Sequence, residues 1–452
     1  MKCLDRKFRL FFMPCFFGVF LSVFISGCGS RDNIGANPRE NAVKPVITVW
    51  HWMSDRENAL LELAKRYESE KGVRVNFELY APSDMYAQKV RAAAQTNTLP
   101  DIFGILGEKR DFASFVNAGY VYDLTEEMDK DGGAWKGQLF EKAISVNEFG
   151  EGNDFNVKPG IYGVPIDVTN IQMLYNRDLL RSAGLDPENP PKTFLEWIEA
   201  NRKLKEKNIQ GLAGGWGETW MIDCLASNYA FNIMGKDKVL DTIRGVVPYT
   251  DPDWIKVFGL FKQMADEGML AGGVVTMVNK TAEQLFANGK AAFALNGSWC
   301  VNVYRGMNPD LNYGVILPPK ASDSYPMAIW GGAGSSFMVN KRSGNADEAI
   351  RFLKWLTGAQ QQIYLAKETQ NLPSNRYSLK EIPMVLSQFA DDMDNVTRPS
   401  FWGASEFPVV TEALGKGIQS IIIGEKSPEQ LADELQALKD REMARKGRSP
   451  VT

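Results

Sequence analysis

A regular alternation of strand and helix patterns, beginning at Val46, most constrains how this chain can fold. The run "VITVWHW" favours a strand, and the next segment places apolar residues on one helical face, namely Leu60, Leu63, Ala64 and Tyr67. "VRVNFELY" alternates apolar and polar residues as a half-buried strand does, a helical pattern covers about residues 84–95, and "PDIFGIL" supplies a third strand. Strand, helix, strand, helix, strand at this spacing predicts a parallel α/β sheet.

Strand and helix patterns continue along the rest of the chain. Strands are predicted at "YGVPIDVTNIQMLYN", "KAAFALNG", "LNYGVILPPK" and "SSFMVN", with helices near residues 252–267 and 281–288. Helix starts are indicated by capping-box spacings at Ser54 and Glu57, at Thr193 and Glu196, and at Asn345 and Glu348. We expect Gly72 to end the first helix and Ser427 to cap the last one.

The first 27 residues have the organisation of a secretory signal peptide. A basic start is followed by the apolar run "LFFMPCFFGVFLSVFI", residues 10–25, and by small residues. A transmembrane helix needs about 20 apolar residues. Because Pro14 interrupts this shorter run, a permanent N-terminal membrane anchor is the less favoured interpretation. "ISGC" resembles the bacterial lipoprotein box, which implies that residues 1–27 are removed and that Cys28 carries the lipid.

The remaining chain is long enough for two lobes. Residues 28–45 combine Gly, Asn, Pro and charges without an apolar period, which predicts a flexible tether between the lipid and the folded protein. Roughly 425 residues follow the predicted cleavage site, and a chain of this length usually divides into more than one core. The net charge of −4, without a basic block, argues against nucleic acid as the partner.

Composition also disfavours several kinds of chemical site. The single histidine, His51, makes a histidine-rich zinc site or a histidine-dependent triad improbable. The acidic segments "EEMDKDGG" and "DDMD" lack the calcium-loop spacing, and the glycine-rich "GGWGETW" and "WGGAGSS" lack the P-loop Lys-Ser/Thr. We therefore expect no metal and no cofactor. Cys224 and Cys300 remain after processing, and the sequence is compatible either with one disulfide or with two buried thiols.

The order of several segments resembles extracellular solute-binding protein family 1, the sugar-type ABC importer binding lipoproteins related to maltose-binding protein. These segments are "ITVWHWMSD", "LPDIF", "YGVPIDVTNIQMLYNRDLL", "NGSW" followed by "LNYGVILPP", "GGAGSSFMVNKRSGNADEAIRFLKWLT" and "LPSNR". Together with the lipoprotein box at Cys28, they extend the resemblance over nearly all of residues 46–440.

The resemblance implies a periplasmic-binding-protein-like type II fold, in which hinge crossings join two α/β lobes with a ligand cleft between them. The crossings are expected at about residues 162–167, 312–317 and 371–376. The expected N-terminal lobe comprises residues 46–165 plus 314–371, and the expected C-terminal lobe comprises residues 166–313 plus 372–445. A cleft at a lobe boundary is a usual small-molecule site, and hinge closure of lobes is a recurrent switching motion.

Tryptophans at the ends of strands are candidates for ligand contacts, because sugars present apolar C–H faces that can stack on aromatic rings. In parallel α/β sheets, ligands meet the loops at the carboxyl ends of the strands. The candidates are Trp52, Trp216, Trp220, Trp299, Trp330 and Trp402. Trp50 shares a strand face with Trp52, whereas His51 points the other way. Tryptophans in helical patterns are expected in the core, namely Trp135, Trp197, Trp254 and Trp355.

Five polar residues are candidates for hydrogen bonds to sugar hydroxyls. Ser54 or Asp55 follows the first strand, and Glu108 follows the third. Asp167 lies at the first expected crossing, and Arg376 lies at the last one. Carboxylates accept hydrogen bonds strongly, and an arginine fork can bridge two oxygens. Each of these residues could instead be a helix cap or a surface charge. For Ser54 and Asp55, the sequence favours the helix-cap role and the ligand-binding role equally.

Together with the resemblance, these features predict a lipid-anchored protein that binds a carbohydrate, in particular an oligosaccharide, without catalysis. The resemblance implies delivery of the ligand to ABC permease subunits and a monomer, and we expect it at the extracellular face of the cell membrane, or on the periplasmic side in a Gram-negative cell. A secreted glycoside hydrolase stays an alternative, because the sequence does not reveal whether two carboxyl groups lie about 5 to 9.5 Å apart. A binding protein for another solute, such as a polyamine, also stays open, because carboxylates around aromatic rings suit cations.

Overall fold

The computed structural model describes residues 45–81, 83–106, 109–391, 393, 395–397 and 406–445. The predicted signal peptide, the lipid-bearing Cys28 and the candidate residues Glu108 and Trp402 lie outside these ranges. The strands are β1 Val46–His51, β2 Arg74–Leu79, β3 Ile102–Phe103, β4 Glu148–Phe149, β5 Gly160–Ile161, β6 Val164–Pro165, β7 Asp167–Asn176, β8 Gln210–Ala213, β9 Ala291–Gly297, β10 Tyr313–Ile316, β11 Trp330–Ala333, β12 Ser336–Val339 and β13 Leu372–Pro373. The helices are α1 Glu57–Lys71, α2 Ser83–Thr96, α3 Lys109–Asn117, α4 Thr125–Gly133, α5 Glu141–Val146, α6 Arg177–Ser182, α7 Phe194–Glu206, α8 Thr219–Arg244, α9 Pro252–Asp266, α10 Asn279–Ala287, α11 Cys300–Met307, α12 Ala346–Leu356, α13 Ala359–Thr369, α14 Met384–Ala390, α15 Pro408–Ile422 and α16 Pro428–Arg445. Short 3-10 helices span Lys136–Gln138 and Arg376–Glu381.

The first sheet has the strand order β2-β1-β3-β12-β6. β1 pairs in parallel with β2 along its whole length and with β3 at Val49 opposite Ile102. The predicted parallel arrangement of the first three strands is therefore confirmed. β12 adds antiparallel to β3, and β6 adds antiparallel to β12.

The second sheet is built on the ten-residue strand β7. β9 pairs antiparallel with β7, and β8 pairs in parallel with β9. β10 pairs with the carboxyl half of β7, where Tyr313 lies opposite Asn176. β11 pairs with the amino half, where Trp330 lies opposite Ile171. β13 pairs with the first two residues of β7.

Three segments carry the chain between the two sheets. The chain leaves the first sheet at Pro165 and enters the second at Asp167. It returns to the first sheet between Ala333 and Ser336 and rejoins the second at Leu372. We call the units built on the first and second sheets the first lobe and the second lobe.

The predicted position of the middle crossing, residues 312–317, is wrong. Tyr313–Ile316 forms β10 in the second sheet, so the lobe boundary predicted at residue 314 lies instead between Ala333 and Ser336. The cause is the length of β7, which pairs with both β10 and β11. Such pairing between distant segments leaves no local pattern in the sequence.

Each lobe has a hydrophobic core that agrees largely with the expected apolar faces. Trp135, Trp197 and Trp254 are buried as predicted. Trp355 is only half-buried, because its indole N–H donates a 2.9 Å hydrogen bond to the exposed carboxylate of Glu70. Of the two open alternatives for the cysteines, the structure has two buried thiols that form no disulfide, those of Cys224 and Cys300.

Two of the three expected capping boxes do not form. Thr193 and Glu196 make the reciprocal bonds of a capping box at the start of α7. At α1, however, the residue before the helix is Arg56, and Oε2 of Glu57 lies 2.8 Å from Nε2 of the buried His51 instead. Glu57 thus lies against the buried imidazole of His51 and does not form a capping box with Ser54.

The third expected box also fails, because Asn345 makes other contacts. Its side-chain amide donates to Asp101 and to the backbone oxygen of Val46. The remaining helix-end predictions are confirmed. Gly72 ends α1 in the left-handed conformation, and the hydroxyl of Ser427 accepts a 3.2 Å hydrogen bond in the first turn of α16. Among the described residues, no helix combines the length and apolarity needed to cross a membrane.

Candidate ligand-binding site

Strand directions bring two sets of loops face to face between the lobes. β12 leaves the middle crossing and runs antiparallel to β3, so β3 and its parallel partner β1 point toward the second lobe. β11 runs toward the same crossing, and β9 runs in the same direction because both strands are antiparallel to β7. The carboxyl ends of β1 and β3 therefore face those of β8 and β9. We call residues 52–56 and 104–106 the first edge, and residues 214–220 and 298–299 the second edge.

On the first edge, the ring of Trp52 lies directly on Gly104. A Cβ atom at position 104 would lie 2.2 Å from the Trp52 ring, so glycine is required there for the close approach. Tyr86 supports the ring from a centroid distance of 5.1 Å, and its hydroxyl accepts the Gly104 N–H at 2.7 Å. Trp52 is half-buried and keeps part of its surface exposed, as a stacking platform must.

The second edge repeats this arrangement with Trp299 and Gly297. A Cβ atom at position 297 would lie 2.0 Å from the Trp299 ring. Trp220 lies next to Trp299, with ring centroids 6.2 Å apart and planes tilted by 45°. Trp220 is 39% exposed, and Trp299 is half-buried. The second edge thus presents two neighbouring indole rings.

A buried ion pair joins the first edge to the hinge. The guanidinium of Arg56 contacts a carboxylate oxygen of Asp167, and both side chains are mostly buried. The other carboxylate oxygen of Asp167 accepts the backbone N–H of Ser335 at 2.5 Å, and its backbone oxygen accepts the Gly334 N–H at 3.2 Å. Burial lowers the pKa of Arg56, whereas the neighbouring Asp55 opposes this shift. Asp167 therefore links two crossings and the first lobe.

These contacts correct the expected role of Asp167. The sequence predicts a carboxylate that accepts hydrogen bonds from ligand, but Asp167 is 5% exposed and both of its oxygens are engaged within the protein. Asp55, in contrast, is exposed, with Oδ2 at 3.4 Å from Nε of Arg56 and at 3.3 Å from the side-chain amide of Asn371. Ser54 is also exposed on the first edge.

Trp216 is the second candidate that the structure corrects. Its ring has no exposed surface and packs 5.8 Å from Phe261 in the core of the second lobe. Trp330 is half-buried at the start of β11, opposite Ile171, which pairs on β9 with Gly297. Trp330 is therefore level with the strand-end glycine of the second edge. Arg376 is exposed, and its guanidinium lies 5.8 Å from the Phe140 ring.

Sequence reasoning missed Glu218, which lies between the two tryptophans of "GGWGETW". Its Oε2 accepts the Trp220 indole N–H at 3.1 Å, and its Oε1 accepts the backbone N–H of Asn279 at 2.7 Å. The sequence feature that could have indicated Glu218 is an acidic residue next to tryptophans, whose indole N–H groups are hydrogen-bond donors.

It also missed Asp223, which is one helical turn after Trp220 in α8. Asp223 is 6% exposed, and its Oδ1 is buried without a hydrogen-bond partner. Burial raises the pKa of this carboxyl group to about 8, because an ionised carboxylate loses its hydration. The sequence feature that could have indicated Asp223 is its spacing of three residues from Trp220, which places both residues on one face of a helix. Within the described ranges, no group of three or more His, Cys, Asp or Glu residues is placed to hold a metal ion.

Comparisons with known proteins agree with this geometry. A family model described as bacterial extracellular solute-binding protein matches residues 53–363. The galactooligosaccharide-binding protein of Bacillus subtilis is 22% identical over 409 residues, which cover 88% of this chain and 90% of the relative. The melibiose/raffinose/stachyose-binding protein of Bacillus subtilis is 24% identical over 376 residues, covering 80% and 82%.

Solved structures support the fold. The structure of a chitin oligosaccharide binding protein superposes with a TM-score of 0.71 at 22% identity, covering 89% of this chain and 100% of the other. The predicted type II periplasmic-binding-protein-like fold, with two sheet-containing lobes, is confirmed.

Proposed function

This chain belongs to the bacterial extracellular solute-binding proteins, whose family model matches more than half of it, and from this premise we propose that it captures a carbohydrate for an ABC importer. The ligand class is an oligosaccharide, and the receiving partners are the permease subunits. The names of the relatives that bind galactooligosaccharide and melibiose, raffinose or stachyose support this ligand class.

The observation that carries the proposal is the matched pair of tryptophans on strand-end glycines. Trp52 on Gly104 and Trp299 on Gly297 belong to edges that face each other across the lobes. Each ring is held by its glycine and keeps an accessible part of its surface. Two such platforms suit a chain of sugar rings, whose C–H faces stack on aromatic rings while their hydroxyls take hydrogen bonds.

Capture then requires binding and closure but no chemical step. Rotation of the lobes about the three crossings brings the two edges onto the ligand, and the closed form presents the shape that the permease recognises. The expected acceptors on the first edge are Asp55 and Ser54, which are exposed there. We assign no catalytic residue, and this accords with a family of binding proteins. A hydrolase is not favoured, because the matching family and the similar proteins are binding proteins.

Isothermal titration calorimetry tests the ligand class. The panel comprises a galactooligosaccharide, raffinose, stachyose and a chitin oligosaccharide, with the polyamine spermidine as a ligand of another class. We expect heat of binding from at least one sugar and none from spermidine. Trp299→Ala should abolish that heat, whereas Trp197→Phe, a change in the core of the second lobe, should leave the affinity unchanged. Heat from spermidine alone, or from no sugar, contradicts the proposal.

We further propose that Cys28 carries a lipid that holds a monomer at the outer face of the cytoplasmic membrane, or on the periplasmic side in a Gram-negative cell. Its support is the lipoprotein box after a complete signal peptide. Cys28→Ala should move the protein from the membrane fraction to the soluble fraction without changing sugar affinity. Retention of Cys28→Ala in the membrane fraction contradicts the anchor.

A further inference from the structure

Glu218 connects the exposed indole ring of the second edge to the body of the second lobe. One carboxylate oxygen accepts the Trp220 N–H at 3.1 Å, and the other accepts the Asn279 N–H, at the first residue of α10, at 2.7 Å. Both oxygens of the carboxylate are therefore used, one on a fixed backbone group and one on an exposed side chain.

The backbone around Glu218 is itself fixed against the segment that precedes α10. Gly217 donates its N–H to the Met277 oxygen at 2.8 Å, and a Cβ atom at position 217 would lie 2.8 Å from the backbone of Thr276. Glu218 donates its own N–H to Gly215 at 3.0 Å. The position of the Glu218 carboxylate is therefore fixed by its backbone and by Asn279. The indole of Trp220 must orient toward this carboxylate to make the hydrogen bond.

We infer that Glu218 is a positioning residue for ligand recognition, which holds the ring of Trp220 against Trp299 so that the second edge offers a preformed aromatic surface. This inference rests on the proposed function, because it assumes that the two rings meet the ligand. An exposed tryptophan without such a hydrogen bond samples several rotamers, and ordering it on binding costs affinity. Because Glu218 already orders the Trp220 ring in the free protein, binding does not have to restrict its rotamers.

The same hydrogen bond determines which chemistry Trp220 can recognise. Tryptophan has one N–H donor, and Glu218 already accepts it, so the ring can contact a ligand only through its faces and edges of C–H groups. Trp220 therefore selects an apolar C–H face of a sugar ring and contributes no hydrogen bond to a hydroxyl. Saccharides with a continuous C–H face on one side should bind better than epimers in which a hydroxyl interrupts that face.

The orientation of Trp220 can be measured without ligand by ¹⁹F NMR of protein labelled with fluorotryptophan. Trp220→Phe identifies the Trp220 resonance. We expect Glu218→Ala and Glu218→Gln to shift and broaden this resonance, because alanine offers no acceptor and glutamine offers one oxygen for two N–H donors. Glu199→Ala removes an exposed glutamate on α7 of the same lobe and should leave the resonance unchanged.

A double-mutant cycle on raffinose affinity then separates positioning from loop stability. Glu218→Ala should weaken binding about three- to tenfold in the wild-type background. It should have little further effect in the Trp220→Phe background, because phenylalanine has no N–H for Glu218 to hold. Equal weakening in both backgrounds, or an unmoved Trp220 resonance in Glu218→Ala, overturns the inference. Absence of heat with wild-type protein and every sugar of the panel overturns the proposed function instead, while the resonance still tests the contact.

Discussion

The two edges that face each other use the same aromatic arrangement but pair their charges differently. On the first edge, Arg56 contacts both Asp55 and Asp167, so its charge is balanced within the protein. Just beyond the second edge, Asp223 has a buried carboxylate oxygen without a hydrogen-bond partner. The first edge therefore uses its charges to join the lobe to the hinge, whereas burial beyond the second edge disfavours the charged form of Asp223. We expect the first edge to govern stability and closure, and the second edge to govern ligand selection.

The largest expected effect concerns the ion pair of the first edge. Arg56→Ala leaves the Asp167 carboxylate buried without its partner, and we expect the free energy of unfolding to fall by roughly 3–5 kcal/mol. Urea denaturation followed by circular dichroism measures the change. The matched control is Arg66→Ala, which breaks an exposed pair with Glu62 and should cost less than about 1 kcal/mol. Equal effects of the two substitutions would show that the first edge has no structural ion pair.

The second prediction concerns Asp223 and the dependence of stability on pH. Burial raises the pKa of this carboxyl group in the folded protein to about 8, above its value in the unfolded chain. The folded state therefore binds the proton more tightly, and stability is lost as the pH rises from about 4 to 8. Asp223→Asn cannot ionise and should be more stable than wild type at pH 9 by roughly 2–4 kcal/mol.

Thermal denaturation of both proteins between about pH 4 and 9 checks this prediction. We expect the midpoints to be closest at the acidic end, to separate as the pH rises to about 8, and to differ by a constant amount above that. Parallel profiles for wild type and Asp223→Asn would mean that the carboxyl group has a partner, and that the two edges do not differ in this respect.

The third prediction tests whether both aromatic platforms meet the ligand. Gly297→Ala and Gly104→Ala each place a Cβ atom where a tryptophan ring now lies, so the ring must move. Each substitution should weaken sugar binding about ten- to a hundredfold, as loss of an aromatic contact in a binding site does. Calorimetry measures the affinity. Gly306→Ala, in α11, has open space at its Cβ position and serves as the control.

If only Gly297→Ala weakens binding, the two edges differ in their role. It would confine recognition to the second edge and leave Trp52 as part of the first-lobe core. If neither substitution changes the affinity, the aromatic platforms are not the binding surface.

The sequence predicted the elements well because most signals were local. Periodicity identified β1, α1 and β2, and a left-handed Gly72 ended the helix as expected. The position of the middle crossing could not be predicted, because it depends on which distant strands pair with β7. Local patterns carry no information about that choice.

The site was predicted only in part for a similar reason. Trp216 and Trp220 stand four residues apart in one glycine-rich segment, yet the first is buried in the core and the second is 39% exposed. Both follow β8 in the same segment, but Trp216 precedes α8 and packs into the core, whereas Trp220 lies in the first turn of α8 and reaches the surface. Likewise, nothing local to Asp167 shows that Arg56 occupies its carboxylate.

A crystal structure of the protein with a sugar that gives heat in calorimetry would show directly where the ligand binds. We expect sugar rings between the two edges, with carbon atoms within about 4 Å of the rings of Trp52 and Trp299. We also expect the contact between Arg56 and Asp167 at the hinge to stay intact. A sugar bound elsewhere on the molecule, with both tryptophans free of it, would show that the two edges are not the binding site.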